Sequence, residues 1–292
     1  SNITLASSNT INNGITNDGN IGEITSNLDN INNIITNSGT INDLVVSKGT
    51  ITYVDNNGVV DTLLQVENGA TLKMGASGNG TITIGSDLGS VLDLKQGSTF
   101  EGNLKNASAI KEWDNLSNIQ GSFINASGAS VVDLIAGEIR DNLLNEGNIT
   151  NLTINKNIGT LTNNGSGVIN TLIIQDGSVI TNGITNDGNG IINTLTIQNN
   201  STTNGITNNS NIGSLNLQND TTYSGTGSIT NALDIAGSKT LNASTNGINI
   251  LFANGATGTI NNAGIIDGSL NNQNGSTIKT FNTGSISGSI AN

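Results

Sequence analysis

Between Ile169 and Gly213 the chain writes one unit twice. I-N-T-L-I-I-Q-D-G-S-V-I-T-N-G-I-T-N-D-G-N-G is followed, one residue on, by I-N-T-L-T-I-Q-N-N-S-T-T-N-G-I-T-N-N-S-N-I-G. Ile169 answers Ile192, Leu172 answers Leu195 and Gly183 answers Gly205, an offset of 22 or 23 residues. A unit so short cannot enclose its own apolar face, so it must bury that face against copies of itself.

The alternation inside the unit says how. In T-L-T-I-Q, Leu195 and Ile197 point one way and Thr194 and Thr196 the other, and G-I-T-N adds one apolar residue, Ile206. Period two is the period of a strand with one buried face. Gly, Asn, Asp and Ser fill the gaps and suit tight corners. Helix is opposed by composition. Asn makes up roughly a fifth of the 292 residues and Gly another 38, and both are poor helix formers. Abundant Ile and few charges also oppose disorder. The residues therefore predict an all-β chain of stacked parallel strands, a β-solenoid with about 20 residues per coil. At that coil size the chain supplies about 14 coils, or a rod of roughly 65–70 Å at the usual strand spacing.

Composition fits a thin repeated core. Hydrophobic residues are 34 % of the chain but aromatics only 2 %. Pro is absent, as expected where every coil donates backbone N–H groups to a neighbour. Cys is absent too, which removes disulfide and thiolate chemistry. Net charge is −12, with only nine basic residues. No basic stripe forms, so neither nucleic acid nor an anionic membrane surface is an expected partner. No apolar run is long enough to span a bilayer, and no signal segment opens the chain. If the protein is exported, this is a mature segment. Neither end carries an obvious polar cap, so coils are expected to continue beyond at least one end.

The repeat varies along the chain. N-G-I-T-N occurs at 13–17, 182–186 and 204–208. Between 51 and 107, T-L-K-M, T-I-T-I and V-L-D-L recur every ten residues, which reads as two strands per coil with the third face reduced to a turn. Residues 108–147 are least repetitive and hold the lone Trp and the lone Arg. An insertion is expected there, within a single domain spanning 1–292. The cleanest ladder is Leu152/Ile154, Leu172/Ile174, Leu195/Ile197, Leu215/Leu217 and Leu233/Ile235.

Candidate sites are few. The chain has no His, and Asp43, Asp55, Asp61, Asp87, Asp93 and Asp133 are scattered, so no catalytic, cofactor or metal residue is assigned. D-G-N-G at 187–190 reads as a turn rather than a calcium repeat. Outward Thr160, Thr162, Thr171, Thr194 and Thr196 could form a flat ladder, but Asn and Ser interrupt it. Stacked Asn at corners is expected to chain side-chain amides along the coils. Trp113, flanked by Lys111 and Glu112, is the binding candidate, although a lone aromatic is more often packed than displayed. Asn148, in E-G-N-I-T, is the candidate glycosylation site, having an acid two places before it.

N-G-I-T-N-D-G-N, I-N-T-L-T-I-Q-N and S-G-T-I-N-D-L resemble the passenger of a bacterial autotransporter (type V secretion). The likeness is to the Asn-rich toxin-like or adhesin-like type of Campylobacter and Helicobacter. It implies a right-handed parallel β-helix, exported across the outer membrane and displayed on the cell surface. It also implies a signal and a translocator barrel outside this segment. The expected role is a rigid adhesive or structural rod for host-cell or cell-cell attachment, not an enzyme and without a cofactor. Its partners would be a host-cell or bacterial-surface receptor or glycan, or further copies of itself. The alternatives are a polysaccharide-acting β-helix enzyme and a self-associating surface filament.

Overall fold

The computed structural model describes residues 1–6, 14–28, 33–55, 57–85, 90–114, 118–244, 246–252, 258–273 and 275–291. Asn13 and Asp87 lie outside that set, as do the side chains of Lys111 and Glu112. The described residues form strands and turns without a helix, wound as a parallel β-solenoid of about 13 turns with about 20 residues each. The chain divides into two compact units, Ser1–Asn148 and Ile149–Asn292.

In each unit one inward position repeats from coil to coil. In the first, Ile24, Leu44, Leu64, Leu92, Trp113 and Leu134 are successive register partners, all buried. In the second, Leu172, Leu195, Leu215, Leu233 and Ile260 play that part, also buried. Each such side chain contributes about 1.5–3 kcal/mol by leaving water. Backbone bonds join the rungs: Gln198 N donates to the Ile174 carbonyl at 3.0 Å, Gln218 N to Ile197 at 2.9 Å and Ala236 N to Leu217 at 2.8 Å. A Pro in these strands would delete a rung.

The long strands do not alternate simply. In Val168–Ile174 and Ile191–Ile197 the buried residues stand at I-x-x-L-x-I. Two outward residues in succession mark a bend, so one continuous strand serves two faces. N-G-I-T-N supplies the other corner. Its glycine has φ +76° at Gly14, +88° at Gly183 and +105° at Gly205. A Cβ on Gly183 would meet the Gly205 carbonyl at 2.7 Å, so both conformation and space demand glycine. Ile184 and Asn186 then point in, with Thr185 between them facing out.

The ten-residue recurrence between 51 and 107 has a different meaning from the one expected. Thr71–Met74 pairs with Thr99–Glu101, Thr81–Ile84 with Asn103–Asn106, and Leu63 with Val91. The three motifs thus occupy three faces, and Leu63 meets its partner 28 residues later. Nor does the 108–147 stretch leave the ladder where it is described. Ala109–Asp114 pairs with Ser130–Ala136, and Phe123–Asn125 pairs with Leu143–Asn145.

Candidate functional site

Asparagine occupies two kinds of place on this scaffold. The first is the last residue of I-T-N and its equivalents, inside a corner. In the second unit, Asn163 Nδ2 donates to Asn186 Oδ1 at 2.8 Å, and Asn186 Nδ2 to Asn208 Oδ1 at 2.8 Å. Asn208 Nδ2 then donates to the Tyr223 hydroxyl at 2.9 Å. In the first unit Asn17 donates to Asn37 and Asn37 to the Tyr53 hydroxyl, both at 2.8 Å. A further run, Asn106 to Asn125 to Asn145, has bonds of 2.8 and 2.7 Å. The expected amide ladder is therefore present.

The buried amides are well satisfied. The second N–H of Asn186 reaches the Asn211 carbonyl at 3.0 Å, and that of Asn208 the Ser228 carbonyl at 3.4 Å. Asn208 Oδ1 also accepts the Ser210 N–H at 3.4 Å. Both tyrosines of the chain end such a ladder, and burial pushes each phenol up to about 12. Beyond Asn37 the register position belongs to Asp55, whose carboxyl is raised by burial, partly offset by the Gly58 N–H at 3.0 Å. These columns stabilise the fold and present nothing to a partner.

The second kind of place faces outward. In the second unit Thr196, Asn216, Asp234, Asn261 and Asn282 are register partners on consecutive coils. Asn216 Nδ2 donates to Thr196 Oγ1 at 3.3 Å, Asn261 Nδ2 to Asp234 Oδ1 at 2.8 Å and Asn282 Nδ2 to Asn261 Oδ1 at 3.0 Å. A groove of about 570 Å³ runs beside this column, lined also by Gln218, Ala236 and Ala263. A second hollow of about 480 Å³ adjoins it at Asn261, Asn282 and Gly284. The groove exists because one column shrinks. Gln218, Ala236 and Ala263 each follow a buried register position in successive coils, and Gly284 follows the register partner of the last of these. The long side chain gives way to methyl, methyl and hydrogen.

Among the described residues the lining holds one carboxylate, Asp234, and no cationic side chain. Retaining and inverting glycosidases use two carboxylates across the scissile bond. Among the described residues no group of three or more metal-ligating side chains occurs. Amides, a hydroxyl and a lone carboxylate suit hydrogen bonding to a neutral polar ligand.

The residues singled out from sequence fall elsewhere. Trp113 is 1 % exposed and packs on Phe123, ring centroids 4.3 Å apart and planes at 53°. It is a core residue, which corrects its reading as a binding platform. The signal was available, because Ile110-Lys-Glu-Trp113 is I-x-x-L with Trp in the Leu place. The side chains of Lys111 and Glu112, the other binding candidates, lie outside the described residues. Asn148 opens the strand Asn148–Ile154 with an exposed side chain, while its N–H donates to the Ala129 carbonyl at 2.9 Å. Asp187 makes a turn, accepting the Gly188 N–H at 2.8 Å. Thr171 and Thr194 align, but the next coil brings Ser214, and Thr196 lies between Ile173 and Asn216. Asp43 stacks on Glu23, and burial first, then that neighbour's charge, raises its carboxyl.

No helix among the described residues is long and apolar enough to cross a membrane. No family model, curated protein or solved structure matches the chain.

Proposed function

We propose that the chain is a passenger segment of a type V secreted bacterial protein and works as a surface-displayed attachment scaffold. Its contact face is the groove of the C-terminal unit. The observation that supports this reading is the outward column Thr196–Asn216–Asp234–Asn261–Asn282 beside a groove cut by small side chains. Backbone ladders already hold those side chains in place, so little order is lost on binding. The amides inside the corners are satisfied among themselves, so a receptor or glycan would meet outward side chains, and those of this column border the groove. Secretion and surface display rest on the likeness of N-G-I-T-N-D-G-N and I-N-T-L-T-I-Q-N to autotransporter passengers. Stacking of successive coils during export would help draw the chain outward.

The test is attachment of the purified protein to intact epithelial and bacterial cells, compared with an Ala236→Gln/Ala263→Gln variant. Gln already stands at the equivalent place in Gln218, so the fold tolerates it. The variant is expected to lose at least tenfold in cell binding with unchanged Tm. Equal binding by both proteins would overturn the assignment of the groove. A full reading frame encoding a downstream translocator barrel would support the secretion route, and sedimentation at several concentrations separates a monomeric binder from a filament.

A further inference from the structure

We infer that the groove takes an uncharged, hydroxyl-rich glycan chain lying along the stacking direction of the coils, an inference that rests on the attachment reading above.

Three observations converge on that ligand class. The first is shape. The polar column crosses five consecutive coils, so at the usual strand spacing its four intervals extend roughly 19 Å. That is a track for a linear oligosaccharide rather than a pocket for one small molecule.

The second is the hydrogen-bonding pattern. Asn216 uses one N–H on Thr196, and Asn261 accepts from Asn282 and donates to Asp234. Each amide keeps donor and acceptor capacity toward the groove, and Asp234 adds acceptor oxygens. Sugar hydroxyls, which both donate and accept, match such a mixed row. A peptide adding itself as a strand does not, because the backbone groups beside the groove are already used. Gln218 N and Ala236 N donate to the preceding coil at 2.9 and 2.8 Å.

The third is charge. Among the described residues the lining has the Asp234 carboxylate near its middle and no Lys or Arg, on a chain of net charge −12. Sulfated or uronate-rich chains would be repelled, a discrimination by built-in mismatch. Ala236, Ala263 and Gly284 leave room for sugar rings to lie close to the backbone.

Affinity electrophoresis tests this with named probes: mannan, laminarin and arabinoxylan as neutral polysaccharides, heparin and alginate as anionic ones. At least one neutral polymer is expected to retard the wild-type protein, and neither anionic polymer should. Ala236→Gln/Ala263→Gln should run at its free mobility in all gels. Asp234→Lys should gain retardation by heparin by at least threefold. The inference is overturned if no neutral polymer retards the protein, if the filled-groove variant is retarded equally, or if an anionic polymer is preferred. Attachment to cells that survives periodate oxidation of their glycans, yet is lost in the filled-groove variant, would sink the glycan inference while sparing the attachment reading.

Discussion

Two columns rich in asparagine run through the C-terminal unit, one inside and one outside. Asn163, Asn186 and Asn208 are fully buried and donate toward later coils. Asn216, Asn261 and Asn282 lie on the outer face and donate toward earlier ones. Side chain and rung spacing are the same in both columns. The inner column closes corner strands such as Ile184–Asn186, while the outer one lies between buried positions of long strands such as Asn211–Leu217, and the side each amide faces decides whether water competes. A buried amide without its partner costs about 1–3 kcal/mol, whereas an exposed one exchanges a protein bond for a water bond at little cost. The inner column can therefore hold coils in register, and the outer can be spent on a ligand.

The comparison can be broken most forcefully from within. Asn186→Ala removes the acceptor of Asn163 and the donor to Asn208, leaving buried polar groups on both sides. A loss of about 3 kcal/mol or more is expected in chemical denaturation. A loss under 1 kcal/mol would mean the inner ladder is incidental.

Alkali probes the same columns through their tyrosine ends. Both phenols are pushed up to about 12 by burial, against about 10 in an unfolded chain. Above pH 10 the unfolded state binds fewer protons than the folded one, so stability should fall as pH rises from about 10 to 12. The loss should reach roughly 2 kcal/mol per tyrosine. Below pH 10 the contribution is fully present. Tyr53→Phe with Tyr223→Phe should flatten that alkaline limb, as read by urea titrations at each pH.

Turns provide a smaller contrast. Gly177 and Ser238 both sit at the left-handed position of a four-residue turn, with φ +79° and +63°. Ser238→Gly should therefore stabilise the protein by about 1 kcal/mol, since a side chain in that region carries a penalty of this order.

The smallest stability effect belongs to the outer column. Asn261→Ala should change stability by less than about 0.5 kcal/mol while weakening cell attachment. A large destabilisation would show that the outer amides are structural after all.

These contrasts also explain what could be read in the sequence. Leu172, Leu195 and Leu215 were legible as one row because their units are copies in which burial repeats the same residue type. Asn stacking was legible because N-G-I-T-N repeats its final residue. Trp113 was misplaced because its neighbours resemble no other coil, although Ile110 three residues before it marks the bend. The groove was not legible. Asn216, Asp234 and Asn261 align only once the coil between Leu233 and Ile260, 27 residues long, has been folded. Neither the varying coil length nor the fall from Gln218 to Ala236 and Ala263 leaves a periodic signal. Hydrophobic period reports which residues face in. It is silent on which outward residues come to share a groove.

The most direct test is side-chain amide hydrogen exchange followed by NMR after transfer to D2O. The Nδ2 protons of Asn163 and Asn186 should persist on the timescale of the strand backbone amides, while those of Asn216 and Asn261 should vanish within the first spectrum. Equal, rapid loss from all four would contradict the division into an inner structural and an outer binding column.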